Sequence, residues 1–191
     1  MNASRELKKI TMSSGLVAIA FVIELLIKFV LPIFSMPFGG NFIGLSMLPL
    51  IFIGFLYGLK YGILACFVYG IFEIILAPSG YIIGWSFMLD YLLGFTAFGL
   101  TGLFVGKLGS AKWTIIGIAV AGFVRYLSVS FAGVIFWTEA ANFDAWIYSF
   151  VVYNLGYMVT STALTMIIAL LIRKRVLDLN DQMMSQTPAT S

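Results

Sequence analysis

The chain has 191 residues, 61% of them hydrophobic and only 10% charged, with a mean hydropathy of +1.05, whereas a soluble domain is about 45–50% apolar and about 25% charged. That excludes a soluble globular protein and points to one membrane-embedded, all-α domain over 1–191, with polar cytoplasmic tails at about 1–10 and 176–191. The absence of histidine and the single Cys66 exclude an internal disulfide, histidine-ligated metals and His-dependent triads, so no metal, cofactor or catalytic cluster is expected.

"MNASRELKKITMSSG" is basic and leads into an apolar run with no small-residue cleavage site behind it, so it reads as a retained first span and not as a signal peptide. Proline, glycine and charge punctuation then divides the chain into six spans at 11–31, 42–59, 61–77, 82–106, 114–137 and 146–172. Most approach the ~20 apolar residues that cross a bilayer. The third is short and follows the tight turn "YGLKYG", so spans two and three read as a close hairpin or as a pair with a broken segment.

The net charge of +3 marks topology and not a nucleic-acid partner. Arg5, Lys8 and Lys9 precede span one, Lys60 separates two and three, Lys107 and Lys112 separate four and five, and Arg173, Lys174 and Arg175 follow six, while the alternate loops carry none. Under the positive-inside rule both termini face the cytoplasm of a multi-pass plasma-membrane protein. The outer loops are then 32–41, 78–81 and 138–145, the last with Glu139 and Asp144. Trp85, Trp137 and Trp146, with Tyr81 and Tyr148, gather near this outer boundary against Trp113 alone inside. Either an aromatic belt or an aromatic-lined, outward-facing pocket accounts for that bias.

Glu24, Lys28, Glu73, Asp90 and Arg125 fall within spans. A charge at bilayer depth costs at least about 2.5–3.5 kcal/mol, so each needs a partner, a wet cavity or a route to the interface. Glu24 and Lys28 are spaced i, i+4 and read as a structural pair, with Lys28 near enough to the outer end to snorkel. Glu73 shares a face with Gly62, Cys66 and Gly70; Asp90 with Gly94, Ala97 and Thr101; Arg125 with Gly117, Ala121, Ser128 and Ala132. Small-residue stripes are where membrane helices approach closely, so these three charges face the bundle interior. Two carboxylates against one arginine, ringed by aromatics, leave an anionic surplus that suits an organic cation held by charge and cation–π contact. The residues themselves offer Glu73, Asp90 and the outer-boundary aromatics Trp137, Trp146 and Tyr148 as candidate ligand contacts, with Arg125 as a structural counter-ion; Tyr91 and Asn154 join them through the resemblance given below. The competing readings are a buried bridge that only fixes helix register and an intramembrane enzyme using Glu73 and Asp90 as an acid–base pair.

The chain contains no G-x-x-x-x-G-K-[ST] phosphate loop and no evident repeat of span pairs, which argues against a self-powered or inverted-repeat transporter. The paired glycines of "FGGNFIGLSMLP" read as turn residues. A small binding bundle without a motor needs a partner.

Three stretches, "PFGGNFIGLSMLPLIFIGFLYGLKYGILACFVYGI" at 37–71, "LDYLLGFTAFGLTGLF" at 89–104 and "GFVRYLSVSFAGVIFWTEAANFDAWIYSFVVYNLGYM" at 122–158, together resemble the thiamine-specific group of S-components of energy-coupling factor vitamin transporters. The resemblance implies six helices with both termini inside, capture of a thiamine-like cation from outside, and docking on a membrane scaffold T-subunit driven by two cytoplasmic ATPase subunits. Asp90 and Tyr91 fall where the family has an acid–tyrosine pair, the acid there usually being Glu. Trp137 matches its tryptophan at the outer end of span five, and Tyr148 and Asn154 match its tyrosine and asparagine in span six. Val129, between Ser128 and Ser130, stands where the family places a pocket histidine, a change that bears on which vitamin or precursor is accepted. Partner docking in the family uses small residues on span one, here Ser14, Gly15 and Ala18.

Overall fold

The computed structural model describes residues 3–36, 40–76, 84–136 and 144–185. Their backbone forms six helices: α1 (Ala3–Val30), α2 (Met47–Tyr57), α3 (Leu59–Leu76), α4 (Met88–Phe104), α5 (Ala111–Phe136) and α6 (Ile147–Ser185). Among the described residues the one extended pairing is an isolated bridge between Ser35 and Asn41. Phe29, Ile33, Ile75 and Leu171 are all more than two-thirds exposed, the reverse of a water-soluble surface and the natural outside of a helical bundle in lipid.

Helix existence follows the six apolar runs, but their lengths differ. α1 begins at Ala3 instead of 11 because Glu6 lies in its first turn, favourable to the helix dipole, and pairs with Lys9 at 3.4 Å one turn on. α6 continues to Ser185 past the expected tail boundary near 176. Val176 and Leu177 pack on the core, Tyr57 donates its hydroxyl to Asn180 Oδ1 at 2.9 Å, and Lys8 donates to the Met184 carbonyl at 3.2 Å. Those contacts hold a charged segment helical that hydropathy alone marks as tail.

α2 is shorter than the span 42–59, since 11 residues at about 1.5 Å each reach only about 16 Å. Nearly every side chain on it is buried, as for a helix enclosed by protein on all sides. α1, α5 and α6 are the described helices long and apolar enough to cross a bilayer unaided. α2 and α3 are separated by Gly58 alone, whose φ of +91° lets the chain turn sharply, the close pair expected from "YGLKYG".

α4 is composite: π-helical over Met88–Leu93, one α-turn over Gly94–Thr96, then 3-10 over Ala97–Phe104. The i, i+3 alignment of a 3-10 helix puts Gly99 and Gly102 on one edge. A Cβ on Gly99 would lie 2.5 Å from the Ile63 backbone nitrogen, so the backbones of α3 and α4 touch there. Thr101, fully buried, donates its hydroxyl to Ile51 O and Phe98 O, both at 2.9 Å. The small-residue stripes thus do pack helix to helix, with Gly62 and Gly70 against α4 and Gly117 against Phe55.

Candidate ligand-binding site

The buried ions gather toward the end of the bundle where α1 finishes. Glu24, 9% exposed, accepts the Ser46 hydroxyl at 2.7 Å. Lys28 stands 3.8 Å from Glu24 but only 2.8 Å from Glu73, and the Tyr69 hydroxyl donates to the other Glu73 oxygen at 2.9 Å. Glu73 is 3% exposed, with both oxygens engaged. The i, i+4 pair of Lys28 with Glu24 is present, and Lys28 in addition bridges α1 to α3 through Glu73. The reason is geometric: i, i+4 neighbours meet side by side along one helix, whereas packing α1 on α3 aims the lysine end-on at Glu73.

Arg125, on α5, is 8% exposed and lies with Cζ 3.9 Å above the Phe95 ring centroid and 5.2 Å from that of Phe98. Its Nε and Nη1 are buried without a hydrogen-bond partner, so the aromatic faces of α4 provide its nearest stabilisation. Arg125, Asp90, Tyr91 and Tyr153 all lie within electrostatic reach of Tyr157, and Arg125 also within reach of Glu24. α4, α5 and α6 therefore converge. Counting buried Glu24 and Glu73 and half-buried Asp90 against buried Arg125 and half-buried Lys28 leaves one formal negative charge among the ions of the spans.

Two of the helices that carry expected ligand contacts change winding where those residues sit. Asp90 and Tyr91 belong to the π segment of α4, Tyr148 belongs to the π segment Ile147–Tyr153 of α6, and Asn154 is the first residue after it. Wide π turns are rare and occur often at functional sites. Here α5 braces both: Ser128 donates to Leu89 O at 2.7 Å, Tyr126 to Phe150 O at 2.8 Å, and Ser130 O accepts the Ser149 hydroxyl at 2.7 Å. Asn154, 4% exposed, donates its amide to Ser149 O at 2.9 Å and Ser149 Oγ at 3.1 Å. It thus spends its NH2 on the π segment and leaves its oxygen as the end for another group.

The π winding also aligns tyrosines. Tyr148 and Tyr153, five residues apart, have ring centroids 6.1 Å apart, and Tyr153 and Tyr157 repeat that 6.1 Å spacing. Tyr157 is buried against Val129 and Met158, and its ring would meet a Cβ on Gly40 at 3.0 Å. Tyr153 and Tyr157 were not singled out from the sequence. A signal existed, since an apolar span is a costly place for three tyrosines, but their shared face required the π turn. Val129, 6% exposed, contributes an apolar wall where a histidine would offer a polar nitrogen.

Trp146 stands elsewhere. It is 55% exposed, stacked on Phe150 at 5.7 Å and edge-on to Phe131 at 6.1 Å, an arrangement like that of a membrane-interface belt. Trp137, with Tyr81 and Glu139, lies outside the described residues. Ser14, Gly15 and Ala18 are all exposed on α1, and Gly15 has no atom within 4 Å of where a Cβ would stand. These three leave a smooth face that the bundle itself does not use.

Taken together, the lipid-facing exterior and the charged and aromatic interior define a multi-pass helical membrane protein. The comparisons with known proteins agree. The sequence profile of the family described as "Thiamine transporter protein" matches residues 11–180, and the chain belongs to that family, one of transport proteins and not enzymes. It is 27% identical over 184 residues to the thiamine transporter ThiT of Bacillus subtilis (strain 168), covering 90% of this chain and 93% of that one. It is 30% identical over 141 residues to the thiamine transporter ThiT of Lacticaseibacillus paracasei, covering 64% of this chain and 68% of the relative. In structure it resembles ThiT from Listeria monocytogenes with a TM-score of 0.75 at 20% identity, over 92% of this chain and 98% of that one, a likeness of fold.

Proposed function

We propose that the protein is the substrate-binding S-component of an energy-coupling factor importer, capturing thiamine or a close relative from the extracellular side with both termini in the cytoplasm. The supporting observation is the convergence of Asp90, Tyr91, Arg125, Tyr153 and Tyr157 from three helices, with the ions of the spans one formal positive charge short of neutral. Thiamine is a permanent thiazolium cation joined to an aminopyrimidine. Asp90 supplies the neutralising charge, Tyr91 and Tyr148 supply ring faces worth about 2 kcal/mol to a desolvated cation, and the Asn154 oxygen accepts an N–H from the aminopyrimidine. Trp137, which matches the family's tryptophan in sequence, is taken as a further ligand contact. Arg125 acts as a structural counter-ion that holds the acids in place. Glu73 serves as part of the frame, because Lys28 and Tyr69 already occupy its oxygens. The exposed Ser14, Gly15 and Ala18 face receives the membrane scaffold subunit, which the two ATPases drive.

Val129 supports a second reading of the same site. An apolar side chain in place of a pocket histidine removes one partner from the bound ring, so a precursor or another vitamin that lacks the matching group competes better here than at a histidine-bearing site. The deciding experiment titrates the purified chain with thiamine, its pyrimidine precursor and riboflavin, following tryptophan fluorescence and heat. Saturable one-to-one binding of thiamine supports the first reading, and tighter binding of the precursor supports the second. Silence with all three overturns both.

A further inference from the structure

Away from the charged site, α1 and α3 enclose an open apolar groove of about 480 Å³, walled by Ser13, Val17, Ala18, Leu64, Ala65 and Val68. Tyr61 lines one end and Phe21 and Phe72 line the other, their rings edge-on at 5.6 Å. At about 1.5 Å per residue, Tyr61 to Phe72 spans about 16 Å, roughly half of the ~30 Å hydrocarbon core and so the depth of one leaflet. The Tyr61 end is the basic one. Lys9 Nζ and Lys60 Nζ stand 5.4 Å and 5.7 Å from the Tyr61 ring centroid, arriving from different helices. Lys9 has Glu6 at 3.4 Å, and Tyr61 also donates to Glu6, whereas Lys60 enters no described ion pair. Two ammonium groups and one carboxylate thus surround the Tyr61 ring, a net positive charge at this end. One turn below Lys9, the buried Ser13 hydroxyl lacks a hydrogen-bond partner.

We infer that this groove holds one acyl chain of an anionic phospholipid of the cytoplasmic leaflet, with its phosphate between Lys9 and Lys60 and a glycerol ester carbonyl at the Ser13 hydroxyl. The charge at the mouth selects the occupant: an apolar partner helix would leave Lys60 without a counter-charge, and a zwitterionic lipid brings its own cation. The lipid occupies the Ala18 wall whenever no scaffold subunit is seated there, so docking displaces it.

The test is native mass spectrometry of the delipidated, purified chain offered equal amounts of dioleoyl phosphatidylglycerol and dioleoyl phosphatidylcholine. About one kcal/mol per basic residue near anionic headgroups, reduced here by Glu6, gives a preference of roughly tenfold for phosphatidylglycerol. Lys9→Gln/Lys60→Gln brings the two lipids to near parity, and Val68→Trp, which fills the groove, lowers retention of both. Equal retention of the two lipids by the natural chain overturns the inference, as does a preference that survives the double substitution. A groove that retains neither lipid is a surface for a partner helix, which also overturns it. No arm requires thiamine, so failure here leaves the proposed function standing, and the converse holds.

Discussion

The Lys28 bridge yields a prediction whose sign differs between a single and a double substitution. Lys28→Met leaves Glu24 and Glu73 buried without their lysine. Breaking a buried ion pair by removing one partner costs about 3–5 kcal/mol, but the Lys28 side chain is 32% exposed, so solvent screens part of the interaction and about 2–3 kcal/mol is the appropriate range. For a chain of this size each kcal/mol lowers Tm by about 2–4 °C, giving a fall of about 4–12 °C. Adding Glu73→Gln to Lys28→Met removes the uncompensated charge, so the double variant is expected to recover at least half of that loss. The assay is thermal unfolding of ligand-free protein in detergent, followed by intrinsic tryptophan fluorescence. A double variant less stable than Lys28→Met alone would refute the bridge. The same pair of variants separates frame from ligand contact: with Glu73→Gln alone, thiamine affinity is expected to change less than threefold.

Asp90→Asn is expected to weaken a cationic ligand by more than tenfold while Asp90→Glu retains binding, since the charge persists; isothermal titration measures both. Val129→His restores a polar nitrogen beside Tyr157, and one hydrogen bond of about 0.5–1.5 kcal/mol predicts roughly two- to tenfold tighter thiamine binding in the same titration. Gly99→Ala places a methyl group 2.5 Å from the Ile63 nitrogen, and overpacking of that kind costs about 1–3 kcal/mol, visible as a lower thermal midpoint.

Composition and periodicity settled what depends on local chemistry. Hydropathy specified a helical membrane protein, punctuation divided it into six helices, and small residues at helical spacing showed which faces of α3, α4 and α5 would touch. They also singled out Asp90, since a costly residue in an apolar span is conspicuous wherever it ends up pointing, whereas Asn154 was marked only by the resemblance to the family. Three features depended on contacts between distant segments. Lys28 found Glu73, 45 residues away, because α1 packs on α3. The α6 extension held its helix through Tyr57 and Lys8. The tyrosine ladder needed the π turn: in a uniform α-helix, at about 100° per residue, Tyr148 and Tyr153 would point about 140° apart, yet their rings lie 6.1 Å from one another. Side chains on α5 donate to carbonyls of both wide turns, and no local pattern in α6 records what its neighbour donates.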